Sequence, residues 1–239
     1  MNLLLFKEEE WKKPISSDDP RVKHIHSILK SKSGDSLDAG IIDGKIGKAE
    51  IKEILEDGSC LFNFTAERDS SPLCPLTLII GTPRPPTAKR LLRDLTAAGI
   101  ERIIFTGTDL GEKSYLTSRL WSKEEWKEAV LTGMAQGEST RHPLIEKFYS
   151  LYKSIDQLQN GEDLLALDNV SPELPLRSYS PQSKKCCLAI GPERGWSDRE
   201  REILRDRNFS ICSLGDRVLR TETAALMGTA LVQAAMGYI

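Results

Sequence analysis

Apolar residues fall into two regimes along this chain. Up to about position 70 they come in short runs: Leu3 to Phe6, Leu37 to Asp43, Lys45 to Leu55 and Cys60 to Ala66 read as strands. Turn signals at Asp43-Gly44 and Asp57-Gly58 separate the later ones. Asp43-Gly44 suits a tight hairpin because both residues tolerate positive φ. Arg21 to Leu29 reads as one short helix among them, and short strands at regular spacing suggest a barrel. The polar stretch Glu67 to Pro75 is the expected linker. Beyond it, apolar runs alternate with helical periodicity. Leu76 to Ile80 is a buried-strand pattern, and Thr87 to Ala98 carries Leu91, Leu92, Leu95 and Ala98 on one face before Gly99 stops it. Arg102 to Thr106 is the next strand, and Ser122 with Glu125 predicts a capping box for a helix reaching about Ala135. Leu144 to Leu158 reads as helix, and Leu164 to Leu167 as a strand ending at Asp168. Cys186 to Ile190 and Phe209 to Leu214 are strands around a helix opened by the box Ser197 and Glu200. The last helix, Thr221 to Ile239, takes Thr221 or Thr223 as its cap and Ala224, Leu226, Met227, Ala230, Leu231 and Ala234 as its packed face. Strand and helix in alternation mean a parallel α/β sheet.

Charge narrows the class. Lysine and arginine total 33 against 35 aspartates and glutamates, a net charge of -2 over 239 residues. That excludes indiscriminate coating of nucleic acid and leaves room for a local basic patch. One such patch is Arg21 to Lys32, with Arg21, Lys23, Lys30, Lys32, His24 and His26 and no acid. Charge runs are usually solvated faces; the functional alternative is contact with RNA phosphate. Cys60, Cys74, Cys186, Cys187 and Cys212 lack metal spacing and read as reduced, buried small hydrophobes of a cytoplasmic protein. Three histidines without clustered partners predict no metal site. No apolar run reaches the length of a membrane span, and the first residues are too soon acidic for a signal peptide.

The chemistry concentrates near the end of the chain. Ile190-Gly191-Pro192-Glu193-Arg194-Gly195-Trp196-Ser197 and Leu214-Gly215-Asp216-Arg217-Val218-Leu219-Arg220-Thr221-Glu222-Thr223-Ala224 each follow an apolar strand and open a helix. Loops at the carboxyl ends of parallel strands are where open α/β sheets bind ligands. Neither loop has the spacing of a phosphate cradle. Taken singly, Gly191 and Gly215 read as chain turns; taken together with Leu-Arg-Thr-Glu-Thr-Ala they are far more specific.

The two stretches resemble the RsmE family of small-subunit rRNA methyltransferases, in the SPOUT superfamily, whose pattern is I-G-P-E-G-G-[FLW]-[ST] followed by L-G-x-R-[IV]-L-R-T-E-T-A. Arg194 stands where the second of the adjacent glycines usually sits. The block His24, Ile28-Leu29-Lys30, Lys32 and Gly34-Asp35 resembles that family's H-x-x-x-V-L-R-x-K-x-G-D segment. The resemblance implies an α/β fold with a PUA-like RNA-binding β-barrel over 1–70 and a SPOUT methyltransferase domain with a carboxy-terminal trefoil knot over 71–239. It implies S-adenosylmethionine as cofactor, a homodimer, and methylation of N3 of a uridine in 16S rRNA within the small subunit. Leu167, Ile190, Gly191, Glu193, Gly195, Leu214, Gly215, Val218 and Leu219 are the expected cofactor residues.

A uracil imide must lose its N3 proton, so a carboxylate or histidine to take it and an arginine to stabilise the anion are sought. Arg220, Glu222 and Arg141 are the catalytic candidates, with Glu222 equally readable as a residue favoured in the first turn of a helix. Arg21, Lys23, His24, Lys30, Lys32 and Arg194 are the RNA-contact candidates. Trp196 reads as packed core or interface. The middle third departs from the family: Asp94, Ala97 and Ser139 stand where relatives carry lysine, glutamate and arginine. Those departures keep two alternatives open, a non-catalytic RNA-binding or ribosome-assembly protein and a SPOUT methyltransferase with another RNA target.

Overall fold

The computed structural model describes residues 3–239. The chain divides into two compact units, Met1–Pro72 with Leu131–His142, and Leu73–Val130 with Pro143–Ile239.

In the first unit, β1 (Leu4–Phe6) pairs parallel with β2 (Ser36–Ile41), which pairs antiparallel with β3 (Ile46–Ile54), and that with β4 (Cys60–Arg68). Asp43, at φ +58, turns the β2–β3 hairpin as its sequence predicts. The helix α1 (Pro20–His24) starts at an Asp19 cap, whose carboxylate accepts from the Arg21 N–H at 2.8 Å, and runs on into a π-turn over Ile25–Leu29. Phe6, Val22, Ile25, Ala39, Ile51 and Phe62 form the core. The segment Leu131–His142 completes this unit. Leu3 N–H donates to the Ala135 carbonyl at 3.0 Å, Asp43 N–H to the Thr140 carbonyl at 2.7 Å, and the Thr140 hydroxyl to the Gly44 carbonyl at 2.6 Å.

The second unit is one seven-stranded, wholly parallel sheet. Its elements are β5 (Cys74–Gly81), α2 (Pro85–Ala97), β6 (Ile100–Thr106), α3 (Arg119–Ser122), α4 (Glu125–Gln136, whose end enters the first unit), β7 (Leu144–Phe148), α5 (Leu151–Ile155), β8 (Asp163–Leu167), β9 (Leu174–Pro175), β10 (Cys186–Ile190), α6 (Asp198–Asp206), β11 (Ser210–Ser213) and α7 (Thr221–Ala235). The strand order is β7-β6-β5-β10-β8-β11-β9. Strand β10 therefore sits between β5 and β8, and the last three long strands end side by side. The continuous apolar runs of β5 and β10 are buried throughout or nearly so, as expected of strands covered on both faces.

Several expectations are corrected. Leu144 to Leu158 is not one helix: 144–148 pair with β6 as an edge strand, and Ser150 then caps the short α5. Ser122 closes α3 rather than capping α4, because Glu124, at φ +54, intervenes. Glu67 and Arg68 still belong to β4, and Cys74 already belongs to β5, so the linker is shorter than 67–75. Neither threonine caps α7; its N-cap is Arg220, and Thr221 is its first residue. The apolar face chosen for α7 is the outward one. Its buried face is Thr221, Ala225, Gly228, Thr229, Val232 and Gln233, leaving Leu226, Met227 and Leu231 exposed. Close approach decides this: a Cβ on Gly228 would meet Leu167 Cδ1 at 2.9 Å and Leu188 Cδ2 at 3.0 Å. Small residues let the helix lie on the sheet; large ones would hold it off.

All five cysteines are free and buried. Burial pushes the Cys74 and Cys212 thiols up to about 11 and Cys186 to about 12, so they behave as inert hydrophobes.

Candidate functional site

Three strand ends in the second unit converge on one cavity. The chain leaves β10 at Ile190, makes a turn in which Gly195 N–H donates to the Pro192 carbonyl at 2.9 Å, and enters α6 through the Ser197–Glu200 capping box. It leaves β11 through Leu214 and Gly215 before reaching α7. Gly195 at φ +71 and Gly215 at φ +106 occupy backbone conformations that side chains resist, which fixes both loops. The third edge is the end of β8.

The cavity between them measures about 330 Å³. All nine residues expected to hold the cofactor line it: Leu167, Ile190, Gly191, Glu193, Gly195, Leu214, Gly215, Val218 and Leu219. Trp196 is core, as expected, but with a task. Its buried indole N–H donates to the Leu167 carbonyl at 2.9 Å, so it fixes the third edge. Beside it the carboxylate of Asp168, also in the cavity wall, is gripped by Arg201, with Nε to Oδ2 at 2.8 Å and Nη2 to Oδ1 at 3.3 Å. Burial alone would push the Asp168 carboxyl up; the Arg201 guanidinium and the Ser171 N–H outweigh it and hold the group below the usual carboxylate range. Glu200 goes the other way: burial raises it although its oxygens accept from the backbone N–H groups of Ser197 and Asp109.

A second cavity, about 580 Å³, shares Glu193, Arg194, Val218 and Leu219 with the first. Arg220 and Glu222 line it, so two of the three catalytic candidates come together next to the residues expected to hold the cofactor. Arg220 is exposed and makes no side-chain ion pair among the described residues. The far wall was not foreseen: Arg84 and Thr87 face the same space. A third, larger cavity of about 840 Å³ lies over the ends of β5, β6 and β7, lined by Thr106, Tyr149 and Arg199 among others; it shares no residue with the first.

The remaining candidates are dispersed. Arg194 is exposed and borders both of the smaller cavities. Arg141 belongs to the first unit, where its Nε donates to the Ser70 carbonyl at 3.2 Å. Lys23, His24, Lys30 and Lys32 are exposed on that unit. Arg21 is built into it, pairing with Asp19 at 2.7 Å and Glu10 at 2.8 Å, donating to the Leu5 carbonyl and lying over the Phe6 ring. Among the described residues no cluster of three His, Cys, Asp or Glu could hold a metal ion, and no helix is long and apolar enough to cross a membrane.

A parallel sheet whose glycine-bearing loops border a small cavity of mixed apolar and charged lining at the strand ends has the architecture of α/β domains that bind small ligands, and residues 69–233 match the family model of the RNA methyltransferase domain. The chain is 36% identical to ribosomal RNA small subunit methyltransferase E of Treponema pallidum, covering 98% of this chain and 91% of that one. It is 33% identical to ribosomal RNA small subunit methyltransferase E 1 of Borreliella burgdorferi, over 95% and 94%. The chain thus belongs to the ribosomal RNA small subunit methyltransferase E family, RsmE. Its fold agrees with a structure of the Neisseria gonorrhoeae methyltransferase E bound to S-adenosylmethionine (TM-score 0.80, 20% identity, 98% and 97% covered). It agrees equally with a probable rRNA methyltransferase of Porphyromonas gingivalis (0.81, 21%, 99% of both).

Proposed function

We propose that this chain transfers a methyl group from S-adenosylmethionine to N3 of a uridine in small-subunit rRNA. The observation that carries the reading is the convergence of nine expected residues on one cavity that shares a wall with the cavity of Arg220 and Glu222. The first cavity fits the cofactor in kind. Leu167, Ile190, Leu214 and Leu219 are apolar walls for an adenosine, and the glycine loops bring backbone donors and acceptors close. Its volume is at the small end of the range for sites of this class.

When bound, S-adenosylmethionine supplies an electrophilic methyl carbon on a sulfonium, so the protein's work is alignment and management of one proton. Glu222, on the first turn of α7, takes the imide proton from N3. Arg220, unpaired in the same cavity, stabilises the negative charge that develops on the uracil oxygens. Arg141 is a third candidate cation. The exposed Lys23, His24, Lys30 and Lys32 supply phosphate contacts from a PUA-like first domain, and Arg194 supplies one at the cavity rim. The inserted position of β10 between β5 and β8 supports a trefoil-knotted second domain. The exposed stripe of Leu226, Met227 and Leu231 supports a homodimer through α7.

The test is methyl transfer from labelled S-adenosylmethionine to small ribosomal subunits from a strain lacking this protein, followed by nucleoside analysis. N3-methyluridine in the small-subunit rRNA is the expected product. Label in any other nucleoside refutes the assignment to N3 of uridine.

A further inference from the structure

The second cavity has a wall that neither motif supplies. It comes from the start of α2, and two arginines there reach the carboxylates on either side of the cavity. Arg84 donates its backbone N–H to Glu193 Oε1 at 3.1 Å, fixing the first glycine loop. Arg90 places Nη2 3.6 Å from Glu222 Oε1. Between them stands Thr87, almost wholly buried, whose hydroxyl oxygen faces Arg84 Nε at 3.3 Å and Arg90 Nη2 at 3.4 Å. Tyr115, half-buried, also lines the cavity, with a ring that has the size and flat face to stack a base.

We propose that this cavity receives the target nucleotide and that Arg90 is the positioning residue that keeps the Glu222 carboxylate aimed into it. The inference rests on the reading of Glu222 as proton acceptor. Its location supports a nucleotide here: the cavity adjoins the proposed cofactor cavity, sharing Glu193, Arg194, Val218 and Leu219 as lining, and it holds Arg220 to balance an anionic uracil. A carboxylate on a first helical turn has several rotamers open to it, some of which turn back toward the helix N–H groups. The Arg90 guanidinium favours the one that faces the cavity, and Thr87 in turn holds the guanidinium. In the reaction the N3–H bond breaks and its proton passes to Glu222, which becomes the neutral acid. The nitrogen lone pair then forms the N–CH3 bond as the C–S bond breaks and its electron pair stays on sulfur.

The test is a double-mutant cycle on the full chain, with small subunits lacking the modification as substrate and cofactor affinity read separately by calorimetry. Glu222→Gln is expected to lower kcat by about a hundredfold, as loss of a positioned base does. Arg90→Ala is expected to lower kcat about tenfold, leaving cofactor Kd and the KM for small subunits within twofold; Arg90→Lys recovers part of the loss. In the Glu222→Gln background, Arg90→Ala should cost nothing further. Equal Arg90→Ala losses in both backgrounds overturn the positioning role while leaving Glu222 as acceptor. A Glu222→Gln enzyme as fast as wild type overturns both readings. Thr87→Val, which keeps the shape of the buried side chain, should repeat the Arg90→Ala pattern more weakly.

Discussion

Replacing Arg201 with leucine strips the partner from a carboxylate whose side chain is 1% exposed. Breaking a buried pair from one side costs about 3–5 kcal/mol, because the remaining charge stays desolvated. Ser171 N–H still donates to Asp168, and the Arg201–Asp198 contact is lost at no cost because Asp198 is on the surface, so a loss of about 3 kcal/mol is expected. With a urea slope of about 2–3 kcal/mol per molar, the unfolding midpoint falls by about 1–1.5 M. The pH dependence carries a sign. In the wild type the Asp168 carboxyl lies below its ordinary value, so its contribution is present above about pH 4 and is lost as pH falls through the folded value. Without Arg201, burial prevails, the carboxyl moves up, and acid neutralises the unpaired charge. The gap between variant and wild type therefore narrows on going from pH 7 to pH 4. Asp168→Asn combined with Arg201→Leu should recover much of the loss, since a neutral pair leaves no buried charge. A loss below about 1 kcal/mol, or one that does not change with pH, would refute the account of Arg201 as the counter-charge that makes Asp168 tolerable in the cavity wall.

Two other consequences can be measured. Trp196→Phe removes the donor to the Leu167 carbonyl and roughly 40 Å³ of buried volume, for about 2–3 kcal/mol by urea unfolding, and should weaken S-adenosylmethionine binding in calorimetry; an unchanged Kd would mean the third edge needs no such tie. Leu231→Glu puts a charge in the exposed α7 stripe and should convert a dimer to monomer in light scattering without lowering the melting temperature of the subunit; a persistent dimer would move the interface elsewhere.

The two glycine-bearing loops that line one cavity were legible because their signal is local. An apolar run, a glycine at a strand end and a capping box lie within a few residues of one another, and no distant partner is needed to read them. The α7 face failed for a physical reason. Hydrophobicity marks what avoids water, whereas Gly228 and Ala225 mark what lets a helix touch a sheet, and here the two criteria select opposite sides. Residues 144–148 failed because an edge strand with Glu146 and Lys147 in it shows no clean alternation, and its pairing with β6 comes from tertiary context. Arg90 and Thr87 carried no signal at all. An amphipathic helix is expected to have an arginine on its polar side, and only the fold brings that side to Glu222.

The make-up of the first unit has a consequence for synthesis. Residues up to Pro72 emerge from the ribosome without the segment Leu131–His142 that supplies partners to Leu3, Asp43, Gly44 and Ser70. At about 5–20 residues per second, roughly 4–14 s separate the two pieces. During that interval Leu3, Asp43, Gly44 and Ser70 lack those partners, while β5, α2 and β6 are already being made. The unit that starts first therefore finishes only after the second has begun, and a fragment ending at residue 72 should fold less stably than the same unit in the full chain.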